Sequence, residues 1–453
     1  MAKPNSIKIH DVSTVVPPPD SPYSTTPNSL PLTFLDLFWL RFSPTHRIYF
    51  YQSPISTAAF FDSVVPKLKK SLSLALSYFL PLTGHLIWPE SSYTPLIHYA
   101  QNDGVPFTVA ESDADFNYVS STDFRDPTVN HPLVPKLSVS SERVSVLALQ
   151  VTLFPNHGFS IGITTHHGVV DGRISTTFTK VWAQICKSEG GQLPDLKLLY
   201  DRSSLKAFNG LESIYVEYCL RNGGRNLQIH QELFSPPDSV RGTFELTRAN
   251  IQKLRDFVNV ELGKNNEAAA PVVHLSTFAL TCAYIWTCLV RAEEVSLDVV
   301  VLSFNVDGRF RLEPPIPDYF GTCLGVKVAV AETKGILGKG GFVEAVKKIS
   351  EAIKSIDEGV FKEAANWFPE NNTLPPCRIY SLGGSPRFGV YGTDFGWNSP
   401  RKVDMTGVDR GGAISLQDRR DGDGGVEIGF VLKKDLMEAF AALFAKGLED
   451  HPF

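Results

Sequence analysis

Alternating hydrophobic and polar positions predict a β-hairpin in the first half of the chain. The segments 144–154 (VSVLALQVTLF) and 159–167 (FSIGITTHH) are rich in β-branched residues, and the turn-forming residues 155–158 (PNHG) join them. After Gly172, hydrophobic residues recur at the spacing of one helix face, namely Ile174, Phe178, Trp182 and Ile185. The pattern therefore predicts a strand that leads through a short turn into an amphipathic helix.

Similar patterns elsewhere predict a mixed α/β fold in two halves. The predicted helices are 60–79, 247–260, 276–291, 342–357 and KKDLMEAFAALFAKGL, and the predicted strands are 47–52, 299–306, 324–332, AISLQD and GVEIGFVL. The turn-rich stretch 188–211 predicts a crossover linker between domains at 1–187 and 212–453. The apolar segments 72–82 and 275–290 are shorter than the roughly 20 residues of a membrane span. We therefore expect both in the core and no contact with a membrane.

Composition narrows the classes of function. The 453 residues include 43 Lys+Arg and 48 Asp+Glu, which gives a formal net charge of −5, and no basic run that would favour nucleic-acid binding. The N-terminus lacks the apolar segment of a secretory signal. The six cysteines show neither C-x-x-C nor zinc spacing, so we expect reduced thiols in a cytoplasmic protein without a metal site.

The segment HHGVVDG (166–172) is the strongest candidate for chemistry. It lies where the predicted strand ends and the predicted helix begins, and ligand-facing groups concentrate at such turns. Histidine titrates near neutral pH and suits proton abstraction from a hydroxyl, so His167 is a candidate base. Asp171 can fix the turn that presents this histidine, and Gly172 permits a close-packed turn.

Three other interpretations of this region stay open at this point. The histidine could be a buried core residue beside an aspartate that only caps the helix. Ligation of a metal by His166, His167 and Asp171 is less favoured, because adjacent residues on a strand point to opposite faces. GFSIG (158–162) matches the G-x-S-x-G elbow of serine hydrolases, but Ser160 is followed by more strand-like sequence rather than by a helix.

Two further segments carry charged residues next to aromatic ones. NVDGRFRLEPPIPDYFGTC (305–323) places Arg309 at a strand end, where its guanidinium could pair with a carboxylate such as that of Asp171. DFGW (394–397) combines an acidic residue, a glycine and two aromatic residues, which indicates a tightly packed loop.

HHGVVDG, DFGW and the intervening VDGRFRLEPPIPDYFG together resemble the plant acyl-CoA-dependent acyltransferases of the BAHD family. LPLTFLDLFWL, LSYFLPLTGHL, STFALTCAYIWTCLV, GSPRF and GGVEIGFVLKK also look like family segments in the expected order. The likeness covers nearly the whole chain. LPLTFLD and YFGTC are most similar to the branch that acylates sugar hydroxyls on anthocyanins and phenolic glucosides.

The resemblance implies a chloramphenicol-acetyltransferase-like fold, with two α/β domains that meet across a tunnel. Residues 378–410 would pack partly against the N-terminal domain. His167 would be the general base at the midpoint of the tunnel, and Asp171 would be structural and paired with Arg309. Asp394, Gly396 and Trp397 would shape the side of the tunnel that binds coenzyme A.

The resemblance also implies the substrates. Acyl-CoA, either malonyl-CoA or hydroxycinnamoyl-CoA, would be the co-substrate, with no permanently bound cofactor, and a phenolic glycoside would be the acceptor. We expect a monomer, because two domains of this size can each bury their own core. Arg173 is a candidate for the carboxylate of a malonyl group. Trp397 is a candidate oxyanion donor, and the candidates for contacts with coenzyme A are Ser276, Thr277, Arg401 and Lys402.

Two residues depart from the family pattern. Asn398 replaces the final glycine of D-F-G-W-G, and we expect it to preserve the turn, because asparagine tolerates the left-handed backbone region. Thr322 replaces the asparagine of Y-F-G-N-C. These departures leave open a catalytically silent relative that binds phenolic glycosides or coenzyme A.

Overall fold

The computed structural model describes residues 6–19, 28–191, 194–206, 208, 210–231, 233–264, 273–368, 374–408 and 412–449. Parts of the predicted linker 188–211 therefore lie outside the described residues. None of the helices in these ranges has the length and apolar character that a membrane crossing requires.

Sixteen strands and twelve α-helices make up the described chain. The strands are β1 (Ile7–Val15), β2 (Ser29–Pro31), β3 (Thr45–Gln52), β4 (His85–Ile87), β5 (Leu96–His98), β6 (Val105–Ser112), β7 (Arg143–Ser145), β8 (Leu147–Phe154), β9 (Gly158–Thr165), β10 (Ser239–Leu246), β11 (Val299–Asp307), β12 (Leu324–Glu332), β13 (Cys377–Gly384), β14 (Lys402–Met405), β15 (Ala413–Asp418) and β16 (Val426–Lys433). The helices are α1 (Phe34–Phe38), α2 (Thr57–Ala59), α3 (Val65–Leu76), α4 (Phe116–Val119), α5 (Gly172–Lys187), α6 (Ser203–Lys206), α7 (Leu211–Arg221), α8 (Arg248–Lys264), α9 (Thr277–Ala292), α10 (Thr333–Leu337), α11 (Gly341–Lys354) and α12 (Lys434–Glu449).

The first large sheet is mixed and has the strand order β1-β6-β8-β9-β3-β14. Strands β8 and β9 form the predicted antiparallel hairpin, and every residue of both strands is buried. The polar positions of the alternating pattern, such as Gln150, Thr152 and Ser160, are therefore buried as well, because both faces of this part of the sheet are covered. The hairpin ends directly before the HHGVVDG segment.

Helix α5 follows this segment and packs against α3. The predicted apolar face is buried, at Ile174, Phe178, Trp182 and Ile185. The Trp182 indole nitrogen donates to the carbonyl oxygen of Leu68 at 3.2 Å and to Ser71 Oγ at 3.1 Å. The predicted helix 60–79 begins earlier, at Thr57, and passes through one π-helical turn (Phe60–Val64) before α3 ends at Leu76.

The second large sheet has the order β10-β16-β15-β13-β11-β12 and is also mixed. Helices α11 and α12 pack on it, and α9 packs against both of these helices, so α9 is buried along nearly its whole length. This burial explains why the segment 275–290 is hydrophobic on all sides without crossing a membrane.

The two sheets are not formed by two separate halves of the sequence. Strand β14 lies between β13 and β15 in sequence, yet it pairs with β3 in the first sheet. Within the described residues of the segment 378–410, β14 is thus the strand that joins the first sheet, whereas β13 pairs with β11 and β15 in the second. The hydrophobic core of the first half also includes Tyr319, Phe361 and Phe395. The domain boundaries at 187 and 212 stay a prediction.

Buried ion pairs connect the two sheets at β14, the strand that pairs with β3 in the first sheet. The Asp404 carboxylate accepts from Arg125 and, at 2.8 Å, from Asn130 Nδ2. Arg241, on β10 of the second sheet, lies 3.6 Å from the same carboxylate. Burial alone would raise the pKa of Asp404, but the charges of Arg125, Arg241 and Lys402 hold it below its usual value.

We predict that Asp404→Asn destabilises the protein strongly. The substitution leaves two buried arginines without their counter-charge, and such losses lower the free energy of unfolding by about 3–5 kcal/mol. Glu189→Gln is the control, because Glu189 pairs with Lys67 at the surface, where an ion pair contributes at most about 1 kcal/mol. Denaturant unfolding of both variants measures the difference. Equal losses of unfolding free energy in the two variants would contradict a stabilising role of the buried cluster around Asp404.

Candidate active site

Asp171 caps the helix that follows the HHGVVDG turn. Its backbone is extended, and its Oδ1 accepts from the Ile174 amide at 3.1 Å, so α5 begins at Gly172. A Cβ atom at Gly172 would lie 2.8 Å from the ring of Phe388, which explains why this position has no side chain. The interpretation of Asp171 as a helix cap is thus correct for one of its two carboxylate oxygens.

The other carboxylate oxygen of Asp171 binds Arg309. Arg309 Nη1 donates to Asp171 Oδ2 at 2.7 Å, and both side chains are inaccessible to solvent. The amide of Cys323 donates to the same oxygen at 3.2 Å. The predicted pairing of Asp171 with Arg309 is therefore present, and it joins the motif of the first half to the end of β11 in the second half.

Further acceptors hold Arg309 in place. Its Nε donates to the carbonyl oxygen of Tyr319 at 3.0 Å, Nη2 donates to that of Gly321 at 2.7 Å, and Nη1 also reaches Asp307 Oδ1 at 3.1 Å. Burial alone would lower the pKa of Arg309, but Asp171 and Asp307 raise it above its usual value. The guanidinium thus stays charged.

His167 lies just past the end of β9 and is half-buried. Its Nδ1 is shielded from solvent and has no hydrogen-bond partner among the described residues. Burial lowers the pKa of His167, and this effect outweighs the opposing influence of its own carbonyl group and of Asp171. The imidazole is therefore neutral at neutral pH, which is the state that a base requires.

The neighbouring His166 has a different environment. It is fully buried, and its Nδ1 accepts from the Gly168 amide at 3.1 Å. Burial, together with the nearby His167, lowers the pKa of His166 to about 3. His166 is thus a neutral core residue. In the described part of the chain, no three His, Cys, Asp or Glu side chains are grouped as metal ligands.

Two residues near this turn were missed by the sequence analysis: Asp36, which lies in α1, and Trp39, which follows α1 directly. Asp36 is fully buried and accepts from the Thr322 amide at 2.9 Å, while Thr322 Oγ1 donates to the carbonyl oxygen of His167 at 3.1 Å. Burial raises the pKa of Asp36 despite the charge of Arg202. The indole of Trp39 stacks on the His167 ring, with centroids 4.1 Å apart. The sequence did contain a signal for Asp36, since it is the charged residue within the apolar segment LPLTFLDLFWL.

The DFGW loop is tightly packed, as its composition predicts. Asp394 Oδ2 binds Lys187 Nζ at 2.8 Å, and its Oδ1 accepts from the Gly396 amide at 2.7 Å. Phe395 is buried edge-on against Trp182. Asn398 has φ +68°, so asparagine does preserve the left-handed turn.

Comparison with known proteins identifies the family. The model of the Transferase family matches residues 6–446. A phenolic glucoside malonyltransferase 1 of Arabidopsis thaliana is 40% identical over 465 residues, which cover 98% of each chain. The chain belongs to this family, the BAHD acyltransferases. A malonyl-CoA:anthocyanidin 5-O-glucoside-6''-O-malonyltransferase of the same plant is 39% identical and covers 95% of this chain and 96% of its own.

Solved structures agree on the fold of this BAHD acyltransferase. Vinorine synthase superposes with a TM-score of 0.70 and 20% identity, and the match covers 96% of both chains. This likeness confirms the predicted mixed α/β, two-domain fold of the chloramphenicol-acetyltransferase type. Membership of the family also confirms the prediction of an acyl-CoA-dependent acyltransferase.

The serine-hydrolase interpretation is wrong for this acyltransferase. Ser160 lies in the middle of β9, where it is fully buried and opposite Phe50 and Thr152 on the neighbouring strands. The chain continues as a strand to Thr165, so the sharp strand-to-helix turn of a nucleophile elbow does not form there.

The prediction of Trp397 as the oxyanion donor is also wrong. Its ring packs edge-on against Phe159, with centroids 5.3 Å apart. At about 3.3 Å per residue, β9 separates Phe159 from Thr165, the strand residue nearest His167, by about 20 Å. The indole N–H thus lies at the opposite end of the strand from the candidate base.

The candidate contacts with coenzyme A have different outcomes. Lys402 was a wrong choice for a phosphate, because its buried Nζ binds Glu427 Oε1 at 2.7 Å. Arg401 Nη1 donates to Gln52 Oε1 and Asn117 Oδ1, both at 3.0 Å, at the same end of the first sheet as Trp397. Ser276 caps α9, since its hydroxyl accepts from the Ala279 amide at 3.1 Å, and the adjacent Thr277 is half-buried. Roles in coenzyme A binding stay predictions for these last three residues.

We predict that Asp171→Asn costs more stability than Ser276→Ala, although asparagine can still cap a helix. Loss of the cap of α9 in Ser276→Ala lowers the free energy of unfolding by about 1 kcal/mol. Asp171→Asn keeps a side-chain oxygen for the Ile174 amide but leaves Arg309 buried without its full counter-charge, which lowers the free energy of unfolding by about 3–5 kcal/mol. Denaturant unfolding measures both losses, and a stability of Asp171→Asn close to that of the wild type would support a simple capping role for Asp171.

Proposed function

We propose that this enzyme transfers a malonyl group from malonyl-CoA to a sugar hydroxyl of a phenolic glucoside, with His167 as the general base. The observation that carries the proposal is the environment of His167, a half-buried imidazole with a lowered pKa at a turn that both halves hold. The names of the phenolic glucoside and anthocyanidin malonyltransferases that the chain resembles support the choice of substrates.

In the proposed reaction, neutral His167 accepts the proton of the acceptor hydroxyl. The oxygen then attacks the thioester carbonyl of the acyl-CoA, so a C–O bond forms while the C–S bond breaks. Coenzyme A leaves as the thiol after it receives the proton from the imidazolium. No acyl-enzyme is required, because the enzyme holds both substrates together.

Both halves contribute to the proposed position of His167. Trp39, at the end of α1, stacks on its ring, and Thr322, after β11, binds its carbonyl oxygen. A residue held from both sides fits the predicted tunnel between the domains, where donor and acceptor would enter from opposite faces. We further propose a monomeric enzyme, since each half has its own extensive core. The free cysteines support a cytoplasmic location, where thiols stay reduced.

Arg173 is the proposed partner of the malonyl carboxylate. It lies in the first turn of α5, two residues after Asp171, and 39% of its side chain is exposed. Its guanidinium stacks on the Phe310 ring at 4.8 Å and forms an ion pair with Asp307 at 3.7 Å, so it is held near the Asp171–Arg309 pair. A planar guanidinium can bind a carboxylate through two parallel hydrogen bonds.

We predict that His167→Ala lowers kcat by about 10²–10⁴-fold, the usual contribution of a general base. The assay measures release of coenzyme A from malonyl-CoA in the presence of a phenolic glucoside. His157→Ala is the matched control, because His157 lies exposed in the hairpin turn, and it should leave kcat unchanged. Thermal unfolding establishes that both variants remain folded.

Three results would contradict this assignment. Near-normal turnover by folded His167→Ala would exclude the imidazole as the base. Release of coenzyme A that does not depend on any phenolic glucoside would indicate hydrolysis of the thioester instead of transfer. No release from the wild-type enzyme with either malonyl-CoA or coumaroyl-CoA would favour a relative that binds these ligands without catalysis.

We predict that Arg173→Gln changes the choice of acyl donor. Loss of a charge-assisted contact should lower kcat/KM for malonyl-CoA by about 10–100-fold and leave that for coumaroyl-CoA within about twofold. Arg311→Gln is the control, since Arg311 is similarly exposed and lies 3.8 Å from Asp357. Competition between the two donors on one acceptor measures the preference. An equal loss for both donors, or a wild-type preference for coumaroyl-CoA, would rule out carboxylate recognition by Arg173.

A further inference from the structure

One face of the His167 imidazole is covered by the Trp39 indole. The two rings are nearly parallel, with an interplanar angle of 4° and centroids 4.1 Å apart. Trp39 follows α1 directly and is only 8% exposed. Such a parallel stack leaves the edge of the imidazole free while it restricts rotation of the ring.

Among the described residues, no other residue holds this imidazole through a hydrogen bond to Nδ1. That nitrogen is buried without a partner from another residue, and the polar backbone group that acts on the ring is its own carbonyl. Asp171, the nearest carboxylate in the motif, is already engaged by Ile174 through Oδ1 and by Arg309 through Oδ2. Many histidine bases have a carboxylate on the second ring nitrogen that sets the plane of the ring. Here the stacked indole is the contact that can perform this task.

The backbone is shaped to bring Trp39 and His167 together. A Cβ atom at Gly168 would lie 3.0 Å from the Asp36 carbonyl oxygen and 3.1 Å from Leu40 Cα, so a side chain there would push the turn away from α1. Thr322 adds a second connection, because it donates both to the Asp36 carboxylate and to the His167 carbonyl oxygen.

Two phenylalanines hold the plane of the indole. Phe38 contacts Trp39 edge-on, with centroids 4.9 Å apart and an interplanar angle of 85°. Phe42 contacts it at 4.7 Å and 61°. Contacts with Phe38 and Phe42 therefore restrict the orientation of the indole, so it can act as a rigid support for the His167 ring.

We propose that Trp39 is a positioning residue for acyl transfer: its indole fixes the plane of the His167 ring so that Nε2 faces the acceptor hydroxyl. This role rests on the proposed function of His167 as the base. The π face of the indole also stabilises the imidazolium that forms when the hydroxyl proton is taken.

A comparison of Trp39→Phe with Trp39→Met tests the proposal. Phenylalanine and methionine are both smaller than tryptophan and leave similar space, so the entry of water should affect both variants alike. Only phenylalanine keeps an aromatic face. We expect kcat of Trp39→Phe within about threefold of the wild type, and kcat of Trp39→Met at least about tenfold lower, with the KM for malonyl-CoA within about twofold in both.

A second readout does not depend on turnover. NMR titration of protein with ¹⁵N-labelled histidine, with the His167 signal assigned from His167→Ala, measures the pKa of the ring directly. We expect this pKa to lie about half a unit lower in Trp39→Met than in Trp39→Phe, because the imidazolium loses its aromatic partner. Trp88→Met controls for the loss of a buried tryptophan elsewhere in the first half, and it should leave the pKa of His167 and kcat unchanged.

Equal kcat and equal His167 pKa in the Phe and Met variants would overturn the proposal, as would the same changes in Trp88→Met. If the wild-type enzyme shows no transfer with any donor, the proposed function fails, whereas the NMR titration still shows whether Trp39 governs the imidazole.

Discussion

The buried ion pair between Asp171 and Arg309 is the interaction on which the candidate site depends. One carboxylate oxygen begins α5 and the other accepts from a guanidinium that is bound to the end of β11 and the following loop. Either charge alone would be strongly unfavourable in a region without solvent. The pair therefore forces the turn after β9 to lie against the second half, and His167 belongs to that turn.

A second buried ionic cluster joins the halves where β14 crosses into the first sheet. Asp404 there meets Arg125 and Arg241, and Lys402 meets Glu427. Polar contacts of this kind depend on direction and distance, whereas hydrophobic packing tolerates small shifts. The two charged connections thus restrict how the sheets can face each other, and the hydrophobic cores stabilise each half around them.

Local patterns predicted much of the fold and part of the site. The alternation in 144–167 identified the hairpin, and the helical spacing from Ile174 to Ile185 identified the buried face of α5, because both patterns depend on neighbours close in sequence. His167, Asp171 and Arg309 could be singled out because their residue types suit the chemistry. Trp397 and Lys402 were assigned to the wrong surroundings, since only the pairing of β14 with β3 shows where the DFGW loop lies.

The sequence by itself determined the secondary structure, the family resemblance and the chemical identity of the candidate base, because each of these follows from residue type and local spacing. Tertiary structure alone decided that Trp39 stacks on His167, that Asp36 and Thr322 hold its backbone, and that Lys402 is neutralised by Glu427. These contacts join residues far apart in the chain. Their partners are set by strand order and helix packing, which the local pattern of hydrophobic and polar residues does not specify.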